Sequence, residues 1–217
     1  MASGLTWNMQ HGGDRWITLE GTGRASLFDF ICLQEMDVRS FPGGWAGGAT
    51  AGGTIHFGTR SRGIAYNYFV QHFGLTGMNS LAVLSPHLII NTYSVMPPWV
   101  STRPSPGIEV NLPGYGLAWV FSIHAPSLGG SSAQLGWIDK VLSSINTYSG
   151  GKFICAGDFN ASPAAIANMG WNVVSSGEVT QRSGGELDFA VCSAGLVTTA
   201  RADAAFSTSD HVSVRFS

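Results

Sequence analysis

The chain is 217 residues long, carries a formal net charge of −2 and is only 11% charged, against about 25% in an average globular protein. That length suits one domain with a sizeable core, and the near-neutral balance excludes a global field that would draw the chain onto a polyanion. Contact with nucleic acid would rest on local cations, and nine of the eleven are arginine, whose forked guanidinium suits phosphate or carboxylate.

In chain order, LTWNMQ (5–10) is the first segment that reads as a strand. A weak helix interrupted by Gly21 and Gly23 is expected between Asp14 and Phe28, then a strand at FICLQE (30–35). FPGGWAGGATAGG (41–53) reads as a flexible loop. Strands follow at GIAYNYFV (63–70), SLAVLS (80–85), IINTYSV (89–95), GIEVNL (107–112) and LAWVFSIH (117–124). The clearest helix spans 132–148, where Leu135, Ile138, Leu142 and Ile145 recur at the three-and-four spacing of one face. Burying those four stabilises it by roughly 1.5–3 kcal/mol each before entropy is charged. KFICAGD (152–158) is the next strand. Ser162 followed by Pro163 is an N-cap and first-turn pair that predicts a short helix. LDFAVC (187–192) and HVSVRF (211–216) complete the strands. Cys32, Cys155 and Cys192 each lie in an apolar strand-like run and read as buried thiols, with no zinc-type spacing. No apolar run approaches the roughly 18 residues of a membrane span, and no charged-then-apolar leader follows Met1. With no repeat and no boundary, residues 1–217 are expected to form a single α/β domain of two packed, mainly antiparallel sheets flanked by helices.

Polar residues gather where strands end. Asn8 closes the first, Glu35 the second, His124 ends FSIH, and Asp158 and Asn160 follow FICAG; Asp188 and the pair Asp210-His211 come later. Rigid strand ends fix such groups while the adjoining loops admit solvent. Because His124 and His211 sit at strand ends rather than on apolar faces, either is expected to be removable without loss of the fold.

In order and context these segments resemble the endonuclease/exonuclease/phosphatase superfamily, over nearly the whole chain. Within it, TWNMQ, LQE, SLAVLS, MPPWVSTRPSPGIEV, VFSIHAPSLGG, AGDFNASP, LDFAV and SDHVSV resemble the catalytic B subunits of the cytolethal distending toxins. The resemblance implies a four-layer α-β-β-α sandwich like that of deoxyribonuclease I, and hydrolysis of a phosphodiester. It assigns a divalent cation, Mg²⁺, to Glu35 with Asn8 and Asp210, and it makes His211 the general acid/base oriented by Asp188 rather than by the adjacent Asp210. Alternation along a strand would divide Asp210 and His211 between two faces. His124 would be the second histidine. Asp158 and Asn160, on one side if the strand persists, would position the attacking water and the phosphate. Arg103 in STRPSP would grip a phosphate, with Asn79 and Arg60 or Arg62 as further contacts. The sequence departs from deoxyribonuclease I in offering no acid between Asp37 and Glu109 to partner His124, and it lacks the long basic helix of some relatives. The implied partners are double-stranded DNA held non-specifically through its phosphates, or a phosphoinositide, together with separate carrier or receptor-binding toxin subunits. The implied setting is a secreted protein acting in a host-cell nucleus.

Overall fold

Period-two alternation of apolar side chains shapes the computed structural model, which describes residues 2–11, 15, 27–37, 47–50, 53–61, 65–71, 79–96, 103–204 and 209–217. Its strands in chain order are β1 (Gly4–Asn8), β2 (Phe30–Met36), β3 (Gly47–Thr50), β4 (Gly53–Ser61), β5 (Ala65–Gln71), β6 (Ser80–Ser85) and β7 (Asn91–Val95). They continue with β8 (Ser105–Leu112), β9 (Gly116–His124), β10 (Phe153–Asp158), β11 (Val173–Val174), β12 (Asp188–Cys192), β13 (Ala200–Asp203) and β14 (Ser213–Phe216). One sheet of eight runs β13-β14-β1-β2-β6-β5-β4-β3, and one of six runs β11-β12-β10-β9-β8-β7. Among the described pairings only β1 with β2 and β9 with β10 are parallel.

The two sheets pack face to face. Phe30, Cys32 and Val83 of the larger meet Ile108, Val120 and Ile154 of the smaller in one buried cluster. The alternate residues face outward: Leu5, Trp7, Ile31 and Leu33 from the larger sheet, Phe121, Ile123, Cys155 and Phe189 from the smaller. The helices α1 (Ser132–Tyr148) and α2 (Pro163–Ala167) cover the smaller sheet. Ser131 caps α1 by accepting from Gln134 N, and Ser162 caps α2 with Pro163 behind it. The apolar face of α1 is broader than the predicted stripe, because Trp137 and Val141 are buried while Leu135 is only partly covered. On the opposite side of the sandwich Trp7 and Leu33 are wholly buried, and the helix expected between Asp14 and Phe28 falls largely outside the described residues. All three cysteines are free and buried.

Several expectations are corrected. The glycine-rich stretch 41–53 is not a loop throughout: Gly47–Thr50 pairs with β4 from Gly47↔His56 to Thr50↔Gly53. The segment Gly47-Gly48-Ala49-Thr50 carries no apolar alternation, so nothing in the sequence warned of this ladder. The last strand begins at Ser213 rather than 211, and His211 pairs with Gln181 in an isolated bridge outside it. Alternation therefore does not separate Asp210 from His211.

Candidate active site

Topology brings the polar strand ends to one pole. Because β1 and β2 are parallel, as are β9 and β10, Asn8, Glu35, His124 and Asp158 all lie at carboxyl ends. Their antiparallel neighbours start there: β12 at Asp188, opposite Asp158, and β14 just after Asp210 and His211. Parity then aims the side chains. Thr6 and Asn8 take the face opposite outward Leu5 and Trp7, and His124, Asp158 and Asp188 likewise alternate with outward Ile123, Gly157 and Phe189. Each is the inward position at the rim where the sheets part.

Glu35 needs a further device. Following outward Ile31 and Leu33, it would point away from the cleft, but the β2–β6 register shifts between Leu33 and Met36. The bulge inserts one residue and returns Met36 to the outer cluster, while Glu35 lines the cleft. Below the rim, Gln34 Nε2 donates to Ser122 Oγ at 2.9 Å and Ser122 Oγ donates to Leu33 O at 3.1 Å, fixing one sheet against the other. Gly157 in AGDFN is required by closeness, since a Cβ there would stand 2.0 Å from the Ile123 carbonyl oxygen on β9.

The cleft has a volume of about 370 Å³ and is lined by Asn8, Glu35, Asn79, Arg103, His124, Ala125, Pro126, Ser127, Asp158, Asn160 and His211. Asp158 is its centre. Its Oδ2 lies 3.5 Å from His124 Nε2 and 3.8 Å from His211 Nε2, and it accepts from Asn8 Nδ2 at 3.0 Å. Its Oδ1 accepts from Asn160 N at 2.8 Å. The strand does not persist to Asn160, which is left-handed at φ 49°; this short turn, not strand alternation, brings Asn160 into the cleft beside Asp158. Asn160 Nδ2 donates to Ala125 O at 2.9 Å, leaving its second hydrogen unassigned. Behind His211, Asp188 Oδ2 lies 2.8 Å from Nδ1, and Asp210 Oδ1 is 4.0 Å from Nε2. Ser209 Oγ donates to Asn8 O at 2.8 Å and accepts from His211 N at 3.1 Å, tying this segment to the end of β1.

The two histidines are electrostatic opposites. Burial disfavours charge on His211, but Asp188, with Asp158 and Asp210, outweighs it and pushes the pKa up to about 9. His124 is held well below the ordinary histidine value, first by burial and then by the charge of Arg103. Arg103 Nη1 is 2.6 Å from His124 Nδ1. Guanidinium only donates, so Nδ1 accepts and the proton of neutral His124 sits on Nε2, facing Asp158 and Glu35. Here an arginine partners the histidine for which the sequence offers no acid. Burial and the nearby charge of Asp188 push Asp158 up to about 7, against the pull of His211 and two hydrogen bonds. Burial also raises Asp188. Both histidines are buried, at 5% and 7% exposure, so removing either one bears on buried partners as well as on chemistry.

Backbone strain concentrates here too. Among the described residues the non-glycine positions with left-handed φ are Gln10, His11, Glu35 and Asn160, all in or beside the cleft. Such conformations cost of order 1–3 kcal/mol each and persist where surrounding contacts hold them.

Two residues beyond those predicted enter the neighbourhood. His11, directly after the WNMQ strand end, places Nε2 3.3 Å from Glu35 Oε2. Gln134 is fully buried at the start of α1. Its Oε1 accepts from Leu128 N at 3.0 Å and Gly130 N at 2.9 Å, and its Nε2 donates to Asn160 O at 2.6 Å and Phe159 O at 3.3 Å. A glutamine four residues after Gly130 was the only sequence signal. Gln134→Ala is expected to cost about 1–3 kcal/mol by stranding those groups, and in a chain of this size each kcal/mol lowers Tm by roughly 2–4 °C. Thermal unfolding checks this, and an unchanged Tm would mean the amide is not what holds the two loops. Arg62 and the Arg60 side chain lie outside the described residues.

A family model described as the Endonuclease/Exonuclease/phosphatase family matches residues 5–211. Among solved structures, the chain is similar to CdtB, the biologically active subunit of cytolethal distending toxin, with 19% identity, coverage of 100% of this chain and 97% of that one, and a TM-score of 0.72. It is similar to the cytolethal distending toxin structure from Actinobacillus actinomycetemcomitans, with 22% identity over 99% and 97% of the two chains and a TM-score of 0.69. The 3′ phosphatase NExo from Neisseria bound to a product DNA hairpin gives 14% identity, 100% and 99% coverage and a TM-score of 0.64. These likenesses establish the deoxyribonuclease I-like fold. No curated protein sequence matches the chain.

Proposed function

Since this chain belongs to the endonuclease/exonuclease/phosphatase family, we propose that it is a Mg²⁺-dependent phosphodiesterase that nicks double-stranded DNA with little sequence preference, as the catalytic subunit of a cytolethal-distending-type toxin. The observation that carries this is the pair of oppositely tuned histidines converging on Asp158 in one open cleft. In-line displacement at phosphorus needs one group that moves a proton and another that stabilises charge on the phosphoryl oxygens without moving one. His211 Nε2 suits the first, with Asp188 holding Nδ1 and balancing the imidazolium. His124 suits the second, because Arg103 keeps a hydrogen on Nε2. Arg103 and the spare Asn160 hydrogen are placed to hold the phosphate. Asp158, between the two imidazoles, is placed to orient the attacking water.

The donor chemistry fits a hard divalent ion. Glu35 presents its carboxylate to the cleft with its oxygens 3.3 Å and 3.6 Å from the two nearby imidazoles, and Asn8, whose Oδ1 accepts from Gln10 N at 3.1 Å, lines the same cleft; Asp210 joins them as a further oxygen donor on the toxin-type likeness. Asp158, Asp188 and His211 also gather ligand atoms within 4.8 Å of one another, but the last two are already bonded to each other. We therefore assign the ion to Glu35, Asn8 and Asp210; when bound it neutralises charge on the phosphate oxygens. Glu35→Gln keeps the shape and removes the charge, so the Mg²⁺ concentration for half-maximal hydrolysis is expected to rise about tenfold or more. An unchanged titration removes Glu35 from the centre.

The decisive test gives the protein supercoiled plasmid and a phosphoinositide in parallel, each with Mg²⁺ and with chelator. Mg²⁺-dependent conversion to open circles supports the proposal, whereas inositide phosphate release without nicking assigns the site to a lipid-headgroup phosphatase. The carrier subunits, secretion and nuclear action belong to the same proposal and are supported by the toxin-type likeness.

A further inference from the structure

We infer that Gln134 is a positioning residue for the phosphate: its side-chain amide holds Asn160 in the turn that faces the cleft, so that losing it weakens substrate binding and spares proton transfer. The inference rests on the phosphodiesterase reading above.

Local sequence gives Gln134 a different task. Ser131-Ser132-Ala133-Gln134 has the spacing of a capping box, in which the glutamine accepts from the N–H of the capping serine. Only the serine half of that box forms, with Gln134 N donating to Ser131 Oγ at 3.3 Å. Ser131 N donates instead to Leu128 O at 3.3 Å. The buried amide reaches past the cap in two directions. Its oxygen accepts from Leu128 N and Gly130 N, and its nitrogen donates to Asn160 O at 2.6 Å and Phe159 O at 3.3 Å. A carboxylate would satisfy the loop, since only acceptors are needed there. The two N–H groups serve the turn after Asp158, and only an amide combines two donors with an oxygen that accepts twice.

Asn160 is what that turn delivers to the cleft. It is left-handed at φ 49°, a conformation that persists where surrounding bonds hold it. Its N donates to Asp158 Oδ1 at 2.8 Å and its Nδ2 to Ala125 O at 2.9 Å, while Ala125 N donates to Asp158 O at 2.9 Å. Gln134 pins the remaining backbone group, the carbonyl, and anchors the far end of the loop whose near end is Ala125. Turn and loop are thus closed into one ring of bonds, with Asn160 Nδ2 and the cleft-lining segment 125–127 on it. The proton-transfer pair is held elsewhere: His211 N donates to Ser209 Oγ at 3.1 Å, and Asp188 N to Thr180 Oγ1 at 3.1 Å. A loosened Asn160 therefore loses grip on the phosphate without moving the imidazole.

The test is the rate of plasmid nicking by the whole chain in Mg²⁺, measured across plasmid concentrations at a temperature below the Tm of every variant. Gln134→Met fills the space with neither donor nor acceptor, and Gln134→Ala repeats the measurement with a side chain that cannot crowd the site. Both are expected to raise KM about tenfold and to leave kcat within about threefold, because an interaction shared by ground and transition states appears in KM. Asn160→Gly removes the side chain and accepts the left-handed turn. In that background Gln134→Met should lower kcat/KM by less than about twofold further, since residues acting as a unit are not additive. A KM within about twofold of wild type in both Gln134 variants, a fall in kcat at constant KM, or a full loss in the Asn160→Gly background overturns the positioning role and leaves the phosphodiesterase reading standing. Variants with no folded state at any working temperature overturn it as well, by assigning the amide to stability. Wild type that does not nick overturns the reading above and this inference with it.

Discussion

Exchanging His211 for asparagine is expected to lower phosphodiester hydrolysis by about 10²–10⁴ while Tm stays within a few degrees of wild type, since proton transfer by a positioned side chain is worth about that much. Asparagine can present an amide N–H where Nδ1 stood, so Asp188 keeps its donor, but nothing remains to move a proton. Alanine is the harsher change. Asp188 is fully buried and its Oδ1 already has no hydrogen-bond partner, so His211→Ala strands a buried carboxylate and should cost about 3–5 kcal/mol of stability. The sign of the pH dependence follows from the raised pKa. The stability of the Asp188–His211 pair is fully present below the ordinary histidine value of 6.5 and is lost as pH rises through about 9. The stability difference between wild type and His211→Asn should therefore shrink across that window in chelator. Hydrolysis by His211→Asn within about threefold of wild type would remove His211 from acid/base duty.

Asp158→Asn should trade activity for stability. Burial and Asp188 raise the carboxyl from its ordinary 3.8 to about 7. Between those values the folded protein holds a proton that the unfolded chain has released. The stability this contributes is complete below about 3.8 and is lost as pH rises through about 7. Asparagine never ionises, so in metal-free buffer the variant should be the more stable above pH 7, by a few kcal/mol at most, or roughly 5 °C in Tm. The gain is reduced because asparagine cannot accept at both oxygens, and either Asn8 Nδ2 or Asn160 N loses its acceptor. At pH 5 the same loss should leave the variant level with wild type or below it. Hydrolysis should fall by about 10² or more, because the charge between the two imidazoles is gone. A Tm difference that is flat from pH 5 to 8 would show that Asp158 ionises normally in the fold.

This opposition between stability and chemistry explains why so many costs meet in one place. A buried acid raised by its neighbours, a carboxylate without a full set of partners and four left-handed residues would each be removed by selection for stability alone. They surround one cleft, and the α1–β10 region beside it is held by an amide with all its bonds spent inside the protein.

By itself the sequence determined what depends on neighbours along the chain. The face of α1, its Ser131 cap, the Ser162-Pro163 start of α2 and the alternation along β1, β2, β9 and β10 are local, because helix and strand periods act over a few residues. The same alternation put Asn8, His124, Asp158 and Asp188 at strand ends, where they could be picked out. Tertiary structure alone decided which of these ends meet, since Asn8 and Asp158 are 150 residues apart and Ser209 and Asn8 are 201 apart. It also decided what local rules point the wrong way on. Parity turns Glu35 outward until a bulge, set by pairing with β6, turns it in. The glycines of β3 carry no pattern, and only a partner strand makes them a strand. Arg103 and His124 are loop and strand end in sequence, and become a fixed tautomer only when folding brings a donor-only side chain to Nδ1. A hydrogen bond between distant residues leaves no period in the sequence, and the chemistry of this cleft is made of such bonds.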